Sequence, residues 1–216
     1  MSLWLPRGYR ARTETQVRRS RFLTTLARVE DEAEARAVVG EVRGEFPDAR
    51  HHCVAFVVEV PGAQPVERSS DDGEPAGTAG TPMLEVLRGA GVSQVLAVVT
   101  RYFGGVLLGT GGLVRAYSDA VSDALDSAPR VRPEVRLLVG LELPASEAGR
   151  VQGALLNRGV AVVDASWGGA HVLLTLATPD ASAALRLVRE VVQRDVELVA
   201  LGEQVVEVPV QPGDSG

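Results

Sequence analysis

Apolar positions along the chain fall into runs of different kinds, and each kind predicts an element. Ser20–Leu26 alternates loosely and Val29 closes the run, which predicts a strand. An acidic cluster, Glu30–Glu34, suits the positive end of a helix dipole. Beyond it Ala35, Val38, Val42 and Phe46 recur at steps of three and four until Pro47 stops the pattern. His51–Val60 is continuous and β-branched, as expected of a strand buried on both faces. Pro61–Gly80 is rich in Gly, Pro, Ser and Asp and reads as one loop of about twenty residues, a length that in compact domains goes with function or mobility. A short helix over Pro82–Arg88 and a strand over Ser93–Tyr102 follow, then a turn over Gly104–Gly112 with five glycines in nine residues. In the next helix Leu113, Tyr117, Ala120, Val121, Ala124 and Leu125 share one face. Arg115, Asp119, Ser122 and Asp126 take the other, and Pro129 ends it.

Pro129 and Pro133 bracket a predicted boundary, giving domains at 1–132 and 133–210, with a frayed tail at 211–216. The second stretch reads βαββαβ. Its strands are Glu134–Leu143, Val160–Trp167, His171–Ala177 and Val196–Val208, with helices Ser146–Arg158 and Asp180–Arg194 between them. The predicted class is α+β, with a ferredoxin-like second domain.

At 216 residues, 45% hydrophobic and 23% charged, the chain can build a packed core, and wholesale disorder is excluded. Acidic residues outnumber basic ones, 28 to 22, for a net charge of −6, and every basic residue is arginine. The absence of lysine removes a Walker-type phosphate lysine, a Schiff-base lysine and a lysine general base. The acidity argues against nucleic-acid binding through bulk charge, yet six arginines and one glutamate crowd Arg7–Arg21. That stretch suits either a phosphate backbone or a solvated edge strand, and the second is favoured. Cys53 is the sole cysteine, so no internal disulfide forms and a reducing cytosol is the simplest home. No signal peptide and no apolar run of about 18 residues is present, which predicts a soluble, cytoplasmic chain with no membrane contact.

Two segments carry candidate chemistry. In the first, Asp71, Asp72 and Glu74 place three carboxylates within four residues. They suit a hard cation such as Mg²⁺, an acid/base pair, or simply a solvated turn in which Gly73 allows a positive φ. The second runs from Thr100 to Arg115. Its glycines, Gly104, Gly105, Gly109, Gly111 and Gly112, admit close approach, and the N–H groups at Thr110–Leu113 favour an anion that Arg101 and Arg115 would contact. The competing reading is a tight turn with Arg115 paired to Asp119. His51-His52-Cys53 does not converge on a metal, because adjacent strand residues point to opposite faces.

Ser70-Asp71-Asp72-Gly73-Glu74-Pro75-Ala76-Gly77-Thr78-Ala79-Gly80-Thr81-Pro82, followed by Val98–Gly105 and Leu108–Tyr117, resembles the IMPACT family in its bacterial YigZ-type form, over roughly Arg18–Ala128. The resemblance implies a ribosomal-protein-like first domain with a left-handed βαβ arrangement and a ferredoxin-like second one. Eukaryotic members regulate translation initiation as binding proteins. It therefore implies a non-enzymatic, translation-associated regulator that binds RNA, the ribosome or a translation protein and needs no cofactor. The expected patch combines Arg101, Tyr102 and Arg115, the glycine turn with Thr110, and the Asp71–Glu74 loop, with Tyr102 stacking on a base. The rival expectation is a Mg²⁺-dependent enzyme or sensor for a phosphorylated small molecule or nucleotide, with Asp71, Asp72 or Glu74 on the cation and the Thr110–Leu113 amides on phosphate.

Overall fold

The computed structural model describes residues 2–210, which form two compact units: the chain up to Arg132 together with the stretch from Val208, and Pro133–Glu207. The tail expected at 211–216 lies outside the described residues. The class is mixed α and β, as the sequence predicts.

The first unit contains β1 (Leu3–Trp4), β2 (Arg10–Val17), β3 (Ser20–Arg28), α1 (Glu32–Glu45), β4 (His51–Val58), β5 (Val66–Ser70), α2 (Gly80–Gly89), β6 (Val92–Ser93), β7 (Val95–Tyr102) and α3 (Thr110–Asp126). Five of its strands form an antiparallel sheet in the order β2-β3-β7-β4-β5. β4 and β7 are interior strands with both faces covered, which is why their sequences run apolar without alternation. On one face Cys53, Ala97 and Val99 pack with Met83 of α2 and with Leu113 and Tyr117 of α3. On the other, Val54, Phe56, Leu96 and Val98 pack under Ala35 and Val42 of α1. Asp31 caps α1 by accepting the Glu34 N–H at 2.8 Å, while the Glu34 carboxylate accepts the Glu30 N–H at 2.7 Å.

The arginine-rich arm is an edge strand. β2 ends the strand order and, among the described residues, pairs with β3 alone; Arg18 and Arg19 make the hairpin turn at positive φ, and Arg10 and Arg12 pair with Glu41 and Glu45 of α1, each at 2.6 Å. The stretch 61–80 corrects the reading of one long loop. Val66–Ser70 is the opposite edge strand and α2 already starts at Gly80, so the connection that bears the carboxylates is short. The predicted Ser93–Tyr102 strand is likewise two, separated at Gln94 with φ 49°.

The second unit holds all but the outer ends of β8 (Val131–Pro144) and β11 (Val199–Pro209), and between them α4 (Ala145–Leu156), β9 (Ala161–Gly168), β10 (His171–Thr178) and α5 (Ala181–Val192). β10 pairs antiparallel with both β8 and β9, and β11 pairs β8. This is the ferredoxin-like arrangement that the βαββαβ pattern predicts. α4 and α5 cover one face, with Val151, Leu155 and Val188 over Leu141, Leu143, Val172 and Leu174. Among the described residues, no helix is long and apolar enough to cross a membrane.

Candidate functional site

The three carboxylates of the short connection after β5 have three separate tasks. Asp71 accepts from the N–H groups of Ala79 (3.0 Å) and Gly80 (2.8 Å) with one oxygen and from that of Gly77 (2.8 Å) with the other, so it closes the loop and caps α2. Partial burial alone would raise its pKa; the three amides outweigh that and hold the carboxyl below the ordinary aspartate range. Asp72 turns the opposite way. It accepts the His52 N–H at 2.7 Å and pairs with Arg43 at 2.6 Å, while its carbonyl oxygen accepts from His51 Nδ1 at 2.9 Å. Glu74 is buried, and its Oε1 accepts from Arg101 Nη1 at 2.6 Å and from the Tyr117 hydroxyl at 2.8 Å. The expected shared cation therefore has no common set of ligands here. Among the described residues, no group of three or more His, Cys, Asp or Glu is disposed to hold a metal.

Arg101 is the second correction. It is buried rather than presented to phosphate, because its β7 position faces α3 and Glu74 neutralises it there. Its guanidinium lies between the rings of Phe22 (5.5 Å) and Phe103 (5.7 Å), and Phe22 meets Tyr117 edge-on at 5.2 Å. Burial raises the Tyr117 pKa and pushes the neighbouring Cys53 thiol up to about 12. Tyr102, next along the strand, faces the α1 side instead. Its hydroxyl donates to Asp48 at 2.9 Å and Arg21 lies over its ring at 5.6 Å, so it does not join Arg101 in one patch.

What the network supports is the glycine turn. Gly104 donates its N–H to Ser20 Oγ at 3.2 Å, and a Cβ on it would sit 2.1 Å from the Arg19 carbonyl carbon, so the β2–β3 hairpin and the turn pack backbone to backbone. Gly105 and Gly109 have positive φ, and α3 then starts at Thr110 without a side-chain cap; Gly111 and Gly112 follow in its first turn. Arg115 is exposed, and among the ion pairs of the described residues none joins it to Asp119. Between the glycines the chain presents Leu107 at 82% exposure with Val106 beside it, and Phe103 just before them (50%) and Val114 on α3 are also exposed.

The Impact N-terminal domain model matches residues 18–125, the segment that contains all of this geometry. The chain belongs to the IMPACT family. It is 42% identical over 194 residues to the IMPACT family member YigZ of Escherichia coli, covering 85% of this chain and 90% of that one. It is 37% identical over 142 residues to the IMPACT family member YvyE of Bacillus subtilis, covering 66% and 64%. A crystal structure described as that of a hypothetical protein superposes with a TM-score of 0.59 at 37% identity, covering 93% of this chain and 98% of the other.

In this IMPACT chain, then, Glu74 and Arg101 come together, Asp71 and Asp72 anchor their own loop, and Tyr102 and Arg115 stand apart. Sequence reasoning missed Ser20 and Tyr117, which complete the Arg101 network, and the apolar tip itself. The available signal for the tip was Val106-Leu107-Leu108 held between glycines, too short to bury itself as an element.

Proposed function

We propose that this IMPACT chain is a non-enzymatic, translation-associated binding protein of the cytoplasm, and that its contact surface is the tip from Phe103 to Leu108 with Val114 and Arg115 beside it. The observation that carries the reading is Leu107, a large apolar side chain left 82% exposed on a turn whose base is fixed by buried bonds. Apolar residues clustered in this way mark interaction sites rather than chance exposure. The reactive-looking groups nearby are engaged internally: Asp71 by backbone amides, Glu74 by Arg101 and Tyr117, and Cys53 by burial. A family whose eukaryotic members act on translation initiation by binding supports the translation-related partner. The net charge of −6 favours a protein surface, a ribosomal or factor protein, over bare RNA.

Sedimentation of the purified chain with ribosomal subunits, in low and high salt, tests this. Association through the tip persists at high salt and is lost in Leu107→Asp, whose thermal midpoint stays within about 1 °C of the parent because the side chain is exposed. Association that Leu107→Asp leaves intact, or none at either salt, overturns the reading. Association that disappears with salt would move the contact to RNA phosphate.

A further inference from the structure

The α1 face of the first sheet is only partly covered. Beside α1 a groove of about 340 Å³ runs over β4 to the edge strand β5. Its floor is apolar, formed by Val54 and Phe56 of β4 with Val39 of α1. Arg36 and Arg43 of α1 and Arg68 of β5 stand around it, with Ser69 and Ser70 at the strand end, and no carboxylate is among the lining residues. Concave sites of this volume, with an apolar floor and a few convergent polar groups, are the usual form of a small-molecule site. The charge is local, because the chain as a whole is acidic.

The three guanidiniums are not committed elsewhere to the same degree as Arg101. Arg68 donates to its neighbour's carbonyl, Glu67, at 3.0 Å, and among the described residues no carboxylate pairs with it. Arg36 pairs with Glu32 and Arg43 with Asp72 through side chains that are 76% and 48% exposed. Ion pairs on guanidiniums this exposed are weak, so both side chains can turn to an incoming dianion. Gly40 keeps the groove open: it lines the wall, and a Cβ there meets nothing within 4 Å.

We propose that this groove binds a phosphorylated small molecule of mononucleotide size, with its planar part on Phe56 and Val54 and its phosphate between Arg68, Arg43 and Arg36. Guanidinium forks match phosphate oxygens in pairs, the apolar floor accepts a ring, and Ser70, on the same face of β5 as Arg68, offers a hydroxyl to a sugar. The groove lies on the α1 side of the sheet, whereas Arg101 and α3 lie on the other, so the proposal stands apart from the tip and its partner.

Calorimetric titration of the full chain with the four common nucleoside 5′-monophosphates, adenosine and inorganic phosphate tests it. At least one 5′-monophosphate binds, and binds more tightly than adenosine or inorganic phosphate. Arg68→Glu weakens it by about tenfold or more, the loss expected for a charge-assisted contact. Gly40→Leu fills the groove and abolishes binding, whereas Gly44→Leu, one turn along the same helix in open space, leaves it unchanged. Binding of none of the four, or retention in Gly40→Leu, overturns the proposal. So does binding of a poly-glutamate peptide where the nucleotides fail, which would assign the groove to an acidic strand added to β5.

Discussion

Glu74 and Arg101 are each more than nine-tenths removed from water, and each is neutralised by the other. Taking away one partner leaves an uncompensated charge, so Glu74→Ala is expected to cost about 3–5 kcal/mol in urea unfolding. The double variant Glu74→Ala/Arg101→Leu should cost less than that single change, because it removes the stranded cation as well. Asp71 answers to pH. Its pKa is depressed on folding, so its contribution is complete above the unfolded value and fades as pH falls below about 4 through the folded one. Asp71→Asn should therefore lower stability clearly at pH 7 and by a shrinking margin as unfolding is repeated toward pH 3.

α1 and α3 begin in opposite ways, and the difference separates structure from exposure. α1 has the Asp31 cap, so Asp31→Ala should cost about 1 kcal/mol, while Gly44→Ala in its exposed last turn should return a smaller amount, up to about 0.5 kcal/mol. Thermal melts of the two variants check both signs. α1 and α3 were legible because one buried face imposes a helical period on their apolar residues, and β4 and β7 because two covered faces make them continuous apolar runs. β5 was not: Val66-Glu67-Arg68-Ser69-Ser70 is an edge strand with one apolar residue and one pairing neighbour, so nothing in its hydropathy distinguishes it from the turn around it. The site was legible as chemistry but not as geometry. Glu74 and Arg101 stood out as charged residues, yet their meeting depends on how the α2 connection folds back on β7. Strand alternation alone does separate Arg101 from Tyr102. The tip was hidden because hydropathy marks Leu107 as apolar without telling whether anything covers it.

At the scale of the molecule, the second unit is an insertion in the first. The chain leaves after Arg132 and re-enters at Val208, and the Val210 N–H donates to the Arg130 carbonyl at 3.1 Å, so the two ends meet within one hydrogen bond. Replacing Pro133–Glu207 with a short Gly/Ser linker should leave a first unit that still unfolds cooperatively, as followed by circular dichroism; a broad, sloping melt would count against its independence. Cys53 lies at the centre of that unit, beneath α3, with no exposed surface and its ionisation suppressed. A small alkylating reagent can therefore mark the chain only in the moments when this core parts. The rate of labelling is a clock for that opening, read at one known atom and without an added dye.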